Sequence, residues 1–88
     1  MKNYPHLSQA VGQTLDTLRR ERKFTKTALS IRSDLEERYV RAILKGTKNP
    51  TVFVLQSLCE ALGITLGEFF TLVDKTSLNF VRQSEKIR

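Results

Sequence analysis

The 88-residue sequence predicts an all-α fold of five short helices. Apolar residues recur at the spacing of a helix face in successive segments, residues that start and stop helices punctuate those segments, and no segment shows sustained strand-like alternation. A chain of this length has material for one hydrophobic core and not for two.

The first helix is expected at about residues 9–22, where Ser8 precedes Val11, Leu15 and Leu18 on one face. Thr25 is a good N-cap for a second, over 26–33, with Leu29 turned inward. Asp34 interrupts it and Leu35 packs back inside. A third helix, over 37–45, carries Val40, Ile43 and Leu44 on one side and Arg38, Arg41 and Lys45 on the other, and Gly46 is placed to end it. After the loop TKNP, Thr51 caps a fourth helix with Leu55, Leu58, Cys59 and Leu62 at core spacing, closed by Gly63. Thr65 and Glu68 have the spacing of a capping box and open a fifth helix containing Phe69, Phe70, Leu72 and Val73. Beyond it no single period fits Leu78, Phe80, Val81 and Ile87, so helix, edge strand and frayed end all stay open. The chain accordingly divides into a domain over 1–74 and a tail over 75–88.

The net charge of +6 is unevenly placed, with ten of the fifteen Lys and Arg residues between positions 19 and 48. Such clustering is the footprint of nucleic-acid binding, because a cation at a phosphate releases condensed counterions; a solvated basic face is the other reading. Enzyme chemistry finds no support: one cysteine, Cys59, and one histidine, His6, are far apart and offer neither a disulfide, a zinc cluster nor a nucleophile–base pair. Cys59, Phe69 and Phe70 read as core. No cofactor and no metal are expected. The apolar residues form no run able to cross a bilayer, and the N-terminal MKNYPHLSQAVGQ lacks the apolar stretch of a signal peptide, which makes a cytoplasmic address the expectation.

The stretch TKTALSIRSDLEERYVRAILKGTKNP resembles the helix-turn-helix of the Cro and phage-repressor (XRE) family of transcriptional regulators. Leu29, Ser30, Leu35, Val40, Ile43, Gly46, Asn49 and Pro50 fit its pattern without a gap, and TVFVLQSLCEALGITLGEFF is similar to its closing helices. The resemblance implies sequence-specific binding of double-stranded DNA and transcriptional repression, with helix two and helix three as the helix-turn-helix and helix three in the major groove. Carried over by position, Glu36, Glu37, Arg38, Arg41 and Ala42 are candidates for base edges. Arg38 leads, because a guanidinium fork matches guanine O6 and N7. Arg19, Lys26, Tyr39, Lys45, Thr47, Lys48 and Asn49 are candidates for phosphate contacts. A homodimer is implied, with Phe70, Leu72, Val73 and Phe80 of the fifth helix and tail as candidate interface residues.

The sequence also departs from the family. Asp34 stands where the turn usually has glycine, and Leu44 stands where many relatives have a glutamate paired with the arginine at position 19. Arg19 is therefore expected to reach solvent or a phosphate. The acidic opening of helix three, Glu36 and Glu37, leaves a rival in play: an interaction module or antitoxin-type protein that uses the same fold to bind a protein partner. A free-standing regulator and the N-terminal part of a longer repressor are equally compatible with the sequence.

Overall fold

A computed structural model of the protein describes residues 2–86, with side chains to residue 80. Among the described residues there are five helices and no strand: α1 (Pro5–Glu21), α2 (Lys26–Ser33), α3 (Glu37–Leu44), α4 (Val52–Leu62) and α5 (Leu66–Lys86). The all-α expectation holds. α1 packs along α5 and against α3, while α2 packs on α3 and α4. Leu15, Leu29, Val40, Ile43, Leu58, Cys59, Phe69 and Val73 are fully buried at the centre. No single helix among the described residues is long and apolar enough to cross a membrane.

Two elements differ in extent from the sequence-based expectation. α1 begins at Pro5, four residues early, because proline in the first turn has no N–H to leave unpaired and its φ is already helical. Ser8 is thus inside the helix, and its hydroxyl donates to the Asn49 side-chain carbonyl instead of capping. The open tail is helical: α5 passes residue 74 without a break and continues to Lys86. Its inner face runs Phe69, Val73, Thr76, Phe80, and the threonine hides the apolar period. Thr76 is accommodated because its hydroxyl reaches the Leu72 carbonyl at 3.0 Å and the Thr14 hydroxyl at 3.2 Å. The same face corrects one expected interface residue. Val73 is 1 % exposed and belongs to the core, whereas Phe70 is 40 % exposed. Leu72 and Phe80 are half-buried against the core. Val81 lies among the residues whose side chains are not described, and Ile87 lies outside the described residues.

The four inner helix ends close in one way. At each, the N–H of the residue after the turn bonds back five residues: Phe24 to the Arg19 carbonyl, Leu35 to Ser30, Thr47 to Ala42 and Ile64 to Cys59, all at 3.0–3.1 Å. A second bond nests inside each, as in Gly46 N–H to the Ile43 carbonyl at 3.0 Å. This closure needs a left-handed residue at its centre, supplied by Lys23 (φ 60°), Asp34 (φ 56°), Gly46 (φ 80°) and Gly63 (φ 71°). The starts are equally local. Thr25 and Thr51 accept from the amides of Ala28 (3.0 Å) and Val54 (3.2 Å). Thr65 and Glu68 form the expected capping box, each side chain accepting the other's N–H at 3.1 Å.

Gly12, in the middle of α1, is where α3 is set in place. A Cβ there would fall against the Ile43 carbonyl and lie 2.7 Å from the Leu44 carbonyl and 3.1 Å from the Gly46 nitrogen. The absence of a side chain lets the C-terminal turn of α3 rest directly on the α1 backbone. Gly46 meets the other side of this contact, with the Gln9 backbone 3.0 Å from where its own Cβ would be.

These features give three measurable outcomes. Gly12→Ala gains about 1 kcal/mol of helix propensity but loses more, because overpacking against backbone costs about 1–3 kcal/mol or beyond; urea unfolding should show a net loss. Lys23→Gly relieves a left-handed residue costing about 1–2 kcal/mol against about 0.4–1 kcal/mol of added unfolded-state freedom, so its midpoint should rise. The Thr65 backbone N–H and hydroxyl hold the Glu68 carboxyl below its ordinary value of 4.5. A lowered folded-state pKa contributes stability above pH 4.5 that is lost as pH falls through the folded value. Unfolding curves measured from neutral pH downward should therefore fall less steeply on the acid side for Glu68→Gln, which keeps the cap geometry without the charge.

Candidate nucleic-acid interface

The basic stretch separates into two groups once folded. Arg19, Arg22 and Arg32 are engaged with the rest of the fold. Arg19 lies across Asp16, with Nε 2.9 Å from Oδ1, and its Nη1 donates to the Phe24 carbonyl at 2.7 Å. Its side chain is only 13 % exposed. The expectation that Arg19 reaches solvent or a phosphate is thus corrected: Asp16, three residues earlier on the same helix, supplies the carboxylate that Leu44 lacks. Arg20 is held by the other oxygen of Asp16 at 3.0 Å. Arg22 Nε donates to the Leu62 carbonyl at 2.6 Å, a cation at the negative end of α4. The Arg32 guanidinium stacks 4.4 Å from the centre of the Phe24 ring.

The second group surrounds α3. The residue before it, Glu36, is extended and exposed and makes no capping bond with its side chain. Val40 and Ile43 are wholly buried, which turns Arg38, Arg41 and Lys45 outward by helical periodicity. Glu37, Arg38, Arg41, Ala42, Lys45 and Thr47 line one shallow concavity of about 530 Å³. Of the five base-edge candidates, four therefore converge, with Glu36 just N-terminal to them. Tyr39 is half-buried, its ring against the core. The Thr47 hydroxyl donates to the Ala42 carbonyl at 3.0 Å and closes the helix end. Lys48 and Asn49 are exposed in the following loop.

Arg38 has no acidic partner among the described residues, whereas Arg41 donates from Nε to the Glu37 carboxylate at 2.8 Å. The Glu37 carboxyl is held below its ordinary value first by the Thr27 hydroxyl of α2 and then by Arg41. The first turn of α2, which also carries half-buried Lys26, hence lies beside the first turn of α3. Cys59 is unsuited to nucleophilic chemistry, since burial pushes its thiol up to about 11.

A helix with a cationic outer face, locked across a tight left-handed turn onto a partner helix of equal length, has the form of a DNA-reading unit. The sequence model of the Cro/C1-type helix-turn-helix DNA-binding domain matches residues 6–75. The chain belongs to that family. It is 34% identical over 70 residues to an uncharacterized HTH-type transcriptional regulator, y4dJ, of Sinorhizobium fredii, covering 80% of this chain and 91% of the relative. It is 29% identical over 79 residues to the immunity repressor protein of Bacillus phage phi105, covering 86% of this chain but 55% of the repressor. The fold is similar to that of the clp gene regulator ClgR from Corynebacterium glutamicum, with a TM-score of 0.88 at 23% identity over 93% of this chain and 87% of that one. This family is one of DNA-binding regulators, not a class of enzymes.

Sequence reasoning missed three residues of this Cro/C1-type domain. Gly12 carried a signal, since an isolated glycine inside a helical pattern is costly unless something packs there. Asp16 and Arg19 stand at the spacing of a helical ion pair, as do Glu37 and Arg41. Thr27 carried no sequence signal, because its role depends on how α2 lies against α3.

Proposed function

We propose that this protein binds an operator as a pair of identical copies and represses transcription, each copy laying α3 in the major groove, within the cytoplasm and without chemical conversion of a substrate. The observation that carries the reading is the exposed Arg38, which lines the concavity on α3 and has no acidic partner among the described residues. A free guanidinium at the opening of the helix is free to pair with guanine O6 and N7, and one such pair discriminates by about 1–3 kcal/mol. Arg41 and Ala42 lie on the same surface, Ala42 offering apolar contact to a thymine methyl, and Glu36 is open to a cytosine amino group. Lys26, Lys45, Lys48 and Asn49 serve the phosphates, with Tyr39 and Thr47 contributing only what their hydroxyls retain after packing and capping.

One eight-residue helix spans few base pairs, so two copies on half-sites one helical turn apart give the specificity a repressor needs. Phe70 is the residue of α5 best placed for pairing, with Leu72 and Phe80 at its flank and Val73 excluded by burial.

Selection from random duplexes with the intact protein and with Arg38→Ala, at low and high salt, tests this reading. Enrichment of a palindrome with half-sites about 10 base pairs apart, relaxed at one position by Arg38→Ala, is expected. Salt-sensitive binding without enrichment, or no binding at low salt, would contradict it.

A further inference from the structure

We propose that Glu37 and Arg41 act as one recognition unit, in which Glu37 is a positioning residue that presents the terminal nitrogens of Arg41 to a guanine edge and does not read a base itself. The inference rests on the reading of α3 as the base-contacting helix.

The geometry distinguishes the two roles for Glu37. Its Oε2 accepts from Arg41 Nε at 2.8 Å, four residues along the same helix, where acid before base is the favourable order. The Thr27 hydroxyl of α2, with Arg41, holds this carboxyl below its ordinary value. To accept from a cytosine amino group the carboxylate would have to leave Arg41. Held in place, it uses one of the five N–H groups of the guanidinium and leaves the four on Nη1 and Nη2, the end-on fork that matches guanine O6 and N7. Both side chains remain partly exposed, Arg41 at 46% and Glu37 at 38%, so the fork is open to a ligand.

Charge gives the two arginines different work. Glu37 offsets the charge of Arg41, so this pair adds little general attraction to phosphate. Arg38 has no such counter-charge and contributes to attraction as well as to recognition. The acidic opening of α3 then serves to hold back non-specific binding, where sequence alone made it an argument against DNA.

The test is quantitative binding of the full chain to its selected duplex and to every single-base variant of it, across a salt series. Glu37→Ala should cost about tenfold in discrimination at the base pair that Arg41→Ala also relaxes, with the double variant losing no more than Arg41→Ala alone. Binding to unrelated DNA should tighten, and the slope of log affinity against log salt should steepen by about one. Glu37→Gln, which keeps a carbonyl acceptor, should retain more discrimination than Glu37→Ala while sharing the steeper slope. Thermal melts confirm that each variant is folded. The proposal is overturned if Glu37→Ala relaxes a different base pair from Arg41→Ala, which would make Glu37 a reader, or if it leaves base preference intact, which would make the pair idle. Failure of the parent protein to prefer any duplex would remove the DNA-reading role of α3 itself, and this unit with it.

Discussion

The arrangement depends on a contact without a side chain. At Gly12 the backbone of α1 meets the last carbonyls of α3, and any larger residue would push the two helices apart. α1 in turn packs along α5, with Thr14 bonded to Thr76 across the two helices and Ala10, Leu15, Phe69 and Val73 buried in the shared core. The C-terminal turn of α3 is thus seated on the body by backbone meeting backbone. An eight-residue helix has little propensity to stand alone, and its order comes from this support and from burial of Val40 and Ile43. A surface that reads base edges needs this stiffness, since a small tilt of α3 would move every outer side chain together.

Much of the fold was legible because its boundaries are set by local chemistry. Thr25, Thr51 and the Thr65–Glu68 box start helices where their side chains can accept or exchange N–H bonds. Gly46 and Gly63 end them where a left-handed residue is required. Asp34 was readable as a tolerable substitute in the turn. Lys23 was not, because nothing in its chemistry favours φ near 60°, and it takes that conformation only because Phe24 and Arg19 are drawn into the closure. The tail was hidden by Thr76, which occupies an inward position with its hydroxyl satisfied by the helix itself.

The proposed DNA-facing surface was legible in outline and less so in its assignments. Helical periodicity alone turns Arg38, Arg41 and Lys45 outward once Val40 and Ile43 are placed inside. It cannot tell a cation that faces solvent from one that serves the fold. Arg19, Arg22 and Arg32 belong to the second kind: the carboxylate three residues before Arg19 stands at a readable helical spacing, but the carbonyl at the end of α4 and the aromatic ring that hold Arg22 and Arg32 are known only from the packing. Val73 fails as an interface residue for a similar reason: it is adjacent to Leu72 but a full 100° around the helix. Clustered positive charge in a sequence is therefore partly structural, and the fraction left over after packing indicates the ligand.

Under the proposed function, the surface built around α3 meets DNA while the exposed apolar residues of α4 and α5 do not. Nuclear magnetic resonance of the labelled protein titrated with its selected duplex measures this residue by residue. The largest shifts are expected at Arg38, Arg41, Ala42 and Lys45 and at the first turn of α2, with α5 around Phe70 changing little once the protein is paired. Shifts centred on Phe70 and the exposed Phe53 of α4, with α3 silent, would contradict it.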